Sequence, residues 1–434
     1  MATKRDRDRR ERPSQSRGES RSNKLAPTGH AADLPSEKRQ MKCSAILLAV
    51  VIIPCLSLLV YHFKYHHLQT DSQFRENGRF VKTDLDYEEI LESSKLVKNE
   101  TYKHYTYPVL AYVTPWNSRG YDMAKLFAKK FTHISPVWYD LKSLGSGIIL
   151  EGRHNADPGW ISEIRMRGDV LVLPRVVLEV LPKKMLNSKK LTERTIDLII
   201  SECREMDYDG IVLESWSRWM AYGVLSDPDM RNKALEFVKQ LGQTLHSVTS
   251  MRKTKQNLQL FYVIGPPHSE KLQVHDFGPP DLRRLSSAVD GFSLMTYDFS
   301  GPQNPGPNAP LKWVQSTLQI LLGTDTGVSN LGSKILLGIN YYGNDFVLSG
   351  DSESWAIIGS DYLSLLEKHR PQLQWEKNSG EHLFFYVDDN GSKHVVFYPT
   401  LASIYLRLEE ARIRGTGISI WEIGQGLDYF FDLL

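Results

Sequence analysis

"YDGIVLESW" (208–216) is the stretch on which the reading of the fold turns. Ile211, Val212 and Leu213 form an aliphatic run entered through Asp209-Gly210 and left through Glu214. That is the composition of a strand buried on both faces. Seven other stretches are built the same way: "YPVLAYVTP" (107–115), "FTHISPVWY" (131–139), "DVLVLPRVVL" (169–178), "LQLFYVIGP" (258–266), "VDGFSLMTYD" (289–298), "KILLGINYYG" (334–343) and "GTGISIWEIG" (415–424). Helix-like stretches at 120–130, 191–206, 230–252, 311–322, 357–369 and 400–414 lie between them. Apolar strands alternating with helices predict a parallel sheet covered by helices, and eight such units predict a (β/α)8 TIM barrel of the α/β class. A doubly wound open sheet is the alternative. "TPWNSRG" (114–120), after the first strand, has the wrong glycines for the phosphate turn of that fold.

More than 70 residues separate the seventh and eighth strands, where one helix would suffice. They include "LFFYVDDNGSKHVVFY" (383–398), two apolar-aromatic runs joined through Asn390-Gly391. Asn-Gly favours a tight hairpin in which both turn residues take positive φ. A small β-rich insertion at about 345–398 is therefore expected on the barrel rim. It could wall a cleft or be ornamental.

Upstream of the barrel the composition changes twice. Residues 1–42 carry twelve Lys/Arg against six acids and no Phe, Trp or Tyr, which predicts a disordered basic tail. Cys43 to Phe63, "CSAILLAVVIIPCLSLLVYHF", is 21 residues without a formal charge, enough to cross the hydrocarbon layer as one helix. A long preceding tail and no small-x-small site after the run favour a signal-anchor over a cleaved signal peptide. The basic tail places itself in the cytosol and the large domain across the membrane. The expectation is a single-pass type II protein facing the endomembrane lumen (ER, Golgi or vacuole) or the cell surface. Residues 64–105 read as a stalk with one short helix, and 106–434 as the barrel domain. Sequons at Asn99 and Asn390 agree with a glycosylated lumenal side. Cys43 and Cys55 fall in the span, so Cys203 has no partner in the large domain and reads as a small core residue. A net charge of +2 gives no field for nucleic acid.

In such barrels chemistry gathers where strands end and βα loops begin. Reading those ends in order gives Tyr112, Trp116, Trp138, Glu179, Glu214, Trp216, Tyr297, Asp298, Asn340, Tyr342, Trp421 and Glu422. The set is rich in aromatics, carboxylates and amides, and no His or Cys cluster is spaced for a metal, so neither metal nor cofactor is expected. Flat aromatic faces edged by hydrogen-bonding groups suit a pyranose ring.

"DGFSLMTYD" (290–298), "KILLGINYYG" and "SIWE" (419–422) resemble glycoside hydrolase family 18, the chitinases and chitinase-like lectins. "AYVTPWNSRGYD", "FTHISPVW", "PGPNAPL", "HVVFYPTL" and "SIWEIGQGLDYF" bring the resemblance closest to the chitinase domain-containing protein 1 subgroup. The resemblance implies a barrel with an insertion before its last strand and a cleft for N-acetylglucosamine-containing chains, free or on a glycoprotein. The family's catalytic strand reads D-x-x-D-x-D-x-E, its last Glu being the acid and the substrate's acetamide the nucleophile. On that pattern Asp209 keeps the first acid, while Val212, Glu214 and Trp216 stand at the second Asp, the third Asp and the catalytic Glu. Strand alternation would turn Val212, Glu214 and Trp216 to one face, with Glu214 about 6.6 Å below the acid's place. The resemblance further implies that Tyr297 hydrogen-bonds the acetamide, that Asp298 is a cleft acid, that Met295 packs and that Trp421 is the floor under the innermost sugar. Glu214 could still accept from an acetamide N–H, or be a buried acid paired with Tyr297 or Arg175. With Trp116 and Tyr342 these are the candidate sugar contacts. The expected function is a membrane-anchored chitinase-like lectin that does not cleave. A divergent glycosidase using Glu214, Asp298, Glu179 or Glu422, and a protein-interaction scaffold with an occluded cleft, remain open. No protein partner is specified.

Overall fold

The structure is a computed structural model; it describes residues 81–96, 101–250, 252, 256–269, 271–323, 331–348 and 353–434. The expected tail, the 43–63 span, stalk residues 64–80 and the Asn99 sequon lie outside the described residues. Among the described residues no helix is long and apolar enough to cross a membrane.

Eight parallel strands close into a barrel: β1 (Val109–Val113), β2 (His133–Leu144), β3 (Arg175–Leu178), β4 (Gly210–Glu214), β5 (Gln259–Ile264), β6 (Gly291–Leu294), β7 (Ile335–Asn340) and β8 (Gly417–Trp421). Each pairs with its sequence neighbours and β8 pairs with β1, so no edge is left open. All eight expected strands are present. β3 is preceded by a separate two-residue segment, Leu171–Val172. The break falls at Leu173-Pro174, where proline has no N–H to give the ladder; its carbonyl still accepts from Val212 N at 3.0 Å.

Alternation in the strands decides what fills the barrel. Leu110 and Tyr112 from β1, Val212 from β4, Phe261 and Val263 from β5 and Leu336 from β7 meet in one interior cluster with Leu171 and Leu173. Burying each such side chain contributes about 1.5–3 kcal/mol. Gly210, the entry to β4, has φ 144°, and a Cβ there would lie 2.1 Å from the Gln259 carbonyl oxygen. Only glycine lets β4 approach β5 at that point.

Helices Lys189–Glu205, Pro228–His246, Leu311–Leu322, Gly359–His369 and Leu401–Arg414 match expected stretches within about two residues, except that the second ends at His246 rather than at 252. Cys203 is buried on the first of these, with Sγ 3.9 Å from the Gly210 carbonyl. The expected short helix before the barrel is Tyr87–Ser93. Its segment is held to the folded body: Ile90 is buried, and the His382 imidazole contacts the Thr83 carbonyl at 3.1 Å.

The insertion is larger than the expected hairpin. It forms a five-stranded antiparallel sheet ordered Ser354–Ile357, Gly343–Val347, Lys393–Phe397, Glu381–Val387, Gln374–Glu376. The turn differs from the tight type expected. Asp388 to Ser392 form the loop, and of Asn390 and Gly391 only Gly391 takes positive φ, at 83°. The Asp388 carboxylate accepts from Asn390 N at 3.0 Å and Ser392 N at 2.7 Å, a side-chain anchor that suits a longer loop. Asn390 itself is exposed. A second hairpin, unsignalled in the sequence, extends β2 through Gly147–Glu151.

Candidate functional site

The candidate carboxylates of β4 separate along the strand. Asp209 sits at its N-terminal entry, buried, accepting from Val172 N and the Arg165 guanidinium, each at 2.9 Å. It clamps neighbouring backbone, a structural task. Val212 belongs to the interior cluster. Glu214, the last strand residue, accepts from Arg175 Nε at 2.6 Å and from a second guanidinium nitrogen of the same residue. Of the two partners expected for a buried Glu214, the geometry selects Arg175.

Arg175 stands at the start of β3, and its guanidinium carbon is 5.2 Å from the Trp421 ring centroid. Trp421 is half-buried against the interior cluster, with the Tyr112 ring 5.2 Å away. Tyr112 donates to Ser293 Oγ at 2.8 Å, which donates to Ser419 Oγ at 3.1 Å. The floor of the mouth is therefore a sandwich: Glu214 holds Arg175, and Arg175 lies over the indole.

The alternation expected to carry Trp216 inward with Val212 and Glu214 stops at Glu214. Ser215 takes φ −149° and ψ −24°, and Trp216 begins the helix Trp216–Ala221. Its indole is turned sideways and packs edge-on to Phe277 at 5.0 Å, with Nε1 donating to the His275 carbonyl at 3.2 Å. The Arg231 guanidinium lies 4.9 Å over its ring. Trp216 forms wall rather than plug. With Met220, Met295, Asp298, Phe299 and Trp313 it lines a cavity of about 400 Å³.

Tyr297 and Asp298 follow β6. Asp298 has φ 59°, its N–H donates to Asn308 Oδ1 at 2.8 Å, and its carboxylate accepts from the Tyr342 hydroxyl. The Tyr297 and Tyr342 rings are 6.4 Å apart. Burial pushes the Tyr297 phenol well above its ordinary range, reinforced by Tyr112 and Glu214. It is therefore a neutral hydroxyl near pH 7.

The other strand-end candidates disperse. Trp116 is 70% exposed on the rim. Trp138 is buried, donating to Tyr121 Oη at 2.7 Å. Glu179 pairs with Arg218. Asn340 donates to the Tyr342 carbonyl at 2.8 Å.

Glu422 is buried beside Asn117 and the Gly424 N–H, both donors to its carboxylate. Burial pushes its carboxyl up to about 7, against the opposing pull of those donors and Arg119. A carboxyl with a raised folded pKa loses stability as pH climbs from its unfolded value toward its folded one. Chemical denaturation from pH 5 to pH 8 should show wild type losing about 3 kcal/mol relative to Glu422→Gln. A constant difference between the two would show that burial does not hold this proton.

Reading only strand ends passes over the β5 loop. There "HSEKLQVHD" (268–276) brings His268, His275 and Asp276 together beside Trp216, at spacings that match no familiar metal motif. Phe299 and Trp313 are passed over for the same reason: they lie beyond the strand ends.

A closed parallel barrel with an aromatic, carboxylate-bearing mouth and an insertion before its last strand defines a TIM-barrel protein with its candidate cleft at the strand ends. The sequence profile of glycosyl hydrolases family 18 matches residues 183–426, and the chain belongs to that family. It is similar to the uncharacterized glycosylase YvbX of Bacillus subtilis (strain 168), 24% identical over 254 residues, 58% of this chain and 67% of YvbX. The fold is shared with a chitinase from Chromobacterium violaceum, at TM-score 0.62 and 20% identity over 76% of this chain and 98% of that one. It is shared with the spore cortex-lytic enzyme SleL of Bacillus megaterium, at TM-score 0.61 and 17% identity over 75% and 72%. A family 18 chitinase from Cycas revoluta, solved with (GlcNAc)4, matches at TM-score 0.60 and 14% identity over 75% and 97%.

Proposed function

We propose that this chain is a chitinase-like lectin of the chitinase domain-containing protein 1 subgroup, binding N-acetylglucosamine-containing oligosaccharides without hydrolysing them. The observation that carries the reading is the Arg175–Glu214 pair lying on Trp421. A general acid must arrive protonated within about 3 Å of the glycosidic oxygen. Glu214, the last carboxylate of the strand, accepts twice from the Arg175 guanidinium and is held on it rather than presented to a glycosidic oxygen. Trp216, at the position that resembles the family's acid, has its indole turned away into the wall.

Binding groups remain. The neutral Tyr297 hydroxyl suits an acetamide carbonyl, and Asp298, held between Tyr342 and Asn308, accepts from sugar hydroxyls. Trp216, Phe299 and Trp313 offer apolar faces in a cavity large enough for one or two sugar rings. A divergent glycosidase is the second reading, supported by the family relationship and by the raised carboxyl of Glu422. The uncharged 43–63 run supports anchoring of this domain on the lumenal or outer side. Glycosylation of exposed Asn390 in eukaryotic membranes, with the tail cleavable from the cytosolic side, tests that orientation.

The functional test titrates chitooligosaccharides into the full chain and assays a chitotriose reporter in parallel. Saturable binding with background turnover is the expected result; turnover above background overturns the non-hydrolytic reading. Trp216→Glu should stay inactive, because its side chain leaves from a helix start rather than a strand end, while Val212 and Glu214 still differ from the family pattern. Turnover by that single variant would sink the account of the strand.

A further inference from the structure

We propose that His268, His275 and Asp276 form a site for one borderline divalent transition-metal ion, Zn²⁺ being the natural probe, on the wall of the cleft. Ligand atoms of the three side chains lie within 4.8 Å of one another. Two imidazoles and a carboxylate match the donor sets that hold zinc with a position left open. His268 Nδ1 and Asp276 Oδ1 are 2.5 Å apart. The ion would replace this contact as the donors spread to the roughly 3.4 Å edge of a tetrahedron with bonds near 2.1 Å.

The local structure holds these donors in place. Asp276 is buried, and its second carboxylate oxygen accepts from Gln273 N at 2.7 Å, which fixes the plane of the group. The His275 backbone is tied to the Trp216 indole at 3.2 Å. His268 is half exposed, its ring 4.9 Å from that of His275. The Arg231 guanidinium beside the loop is already engaged. It donates to the backbone carbonyls of Val274 and Asp276 and is neutralised by Asp281 at 2.7 Å.

All three residues border the cavity that also holds Trp216 and Asp298. The open coordination position therefore faces the cleft, where an oxygen of a bound ligand can complete the shell. The assignment stands on this geometry alone and does not depend on whether the cleft binds sugar.

The test is Zn²⁺ titration of the full chain in competition with a chromophoric chelator. Wild type should bind one more Zn²⁺ per chain, at micromolar affinity or tighter, than His275→Ala or Asp276→Asn. At this site the variants should be weakened at least 100-fold. Exposed His154→Ala should match wild type, and histidines outside the cluster contribute equally to every chain. Should the loop variants fold poorly, the Zn²⁺-dependent rise in melting temperature is compared between wild type and His268→Ala, whose half-exposed ring leaves no cavity. Loss of that rise supports the site. Equal stoichiometry and affinity in wild type and His275→Ala, or an equal melting shift in His268→Ala, overturns it.

Discussion

Arg175→Ala should lower the unfolding free energy by about 3–5 kcal/mol, because it strands the Glu214 carboxylate in the barrel mouth without its partner. Side-chain exposure is 14% for Arg175 and 13% for Glu214, so water can do little to replace the lost guanidinium. Glu214→Ala should cost a comparable amount through the orphaned arginine. Exchanging both at once for apolar residues of similar volume, Arg175→Met with Glu214→Leu, should come close to wild type, since desolvation of the two charges offsets most of their attraction. A double-mutant cycle by urea denaturation therefore reads a large coupling term. If Arg175→Ala melts at the wild-type temperature, the pair is screened by water and the floor of the mouth is mobile. The proposed lectin function would then lose its main support.

Arg407→Met should be more damaging still. The Arg407 guanidinium is buried and bonds the Glu381 carboxylate at 2.8 Å. It also donates to the carbonyls of Ser403 at 2.6 Å, Gly380 at 3.1 Å, Ser379 at 3.1 Å and Ala309. Glu381 in turn accepts from Asn308 N at 3.1 Å and Ala309 N at 2.8 Å. Removing the guanidinium leaves one buried charge, at about 3–5 kcal/mol, and several carbonyls without donors. Arg407→Lys should recover little, because one ammonium cannot span five acceptors arranged around a planar fork. The damage should reach the cleft: Asn308 holds the Asp298 N–H and reaches Asn344 at the base of the insertion, each at 2.8 Å. The readouts are melting temperature and proteolysis within residues 298–309. An Arg407→Met protein within about 1 kcal/mol of wild type would show that other contacts already hold the insertion to the barrel.

Much of the architecture was legible in the sequence because burial on both faces leaves a continuous apolar mark. Val109–Val113 and Ile335–Asn340 are buried at every position, and runs of that kind stand out without knowledge of their neighbours. The five-stranded insertion showed only its 383–398 hairpin. Its outer strands Gln374–Glu376 and Ser354–Ile357 are three and four residues long, and residues 354–356 and 374–376 are partly or fully exposed. Strands that short and half solvated carry no periodic signal.

The site divided along the same line. The sequence by itself determined the parallel barrel, the aromatic and carboxylate-bearing set of strand ends, and Val212, Glu214 and Trp216 at positions that resemble the family's catalytic pattern, because composition and spacing along one strand are local properties. What only the tertiary structure decided is where those replacements point and what they meet. Strand alternation carries Val212 and Glu214 inward, but the turn at Ser215 starts a helix and rotates Trp216 into the wall. Glu214 finds Arg175, Arg175 covers Trp421, and His268 meets Asp276 eight positions further along the chain. Such pairings depend on which elements lie side by side in the closed barrel. That is set by packing among residues far apart in the chain, to which the local pattern is blind.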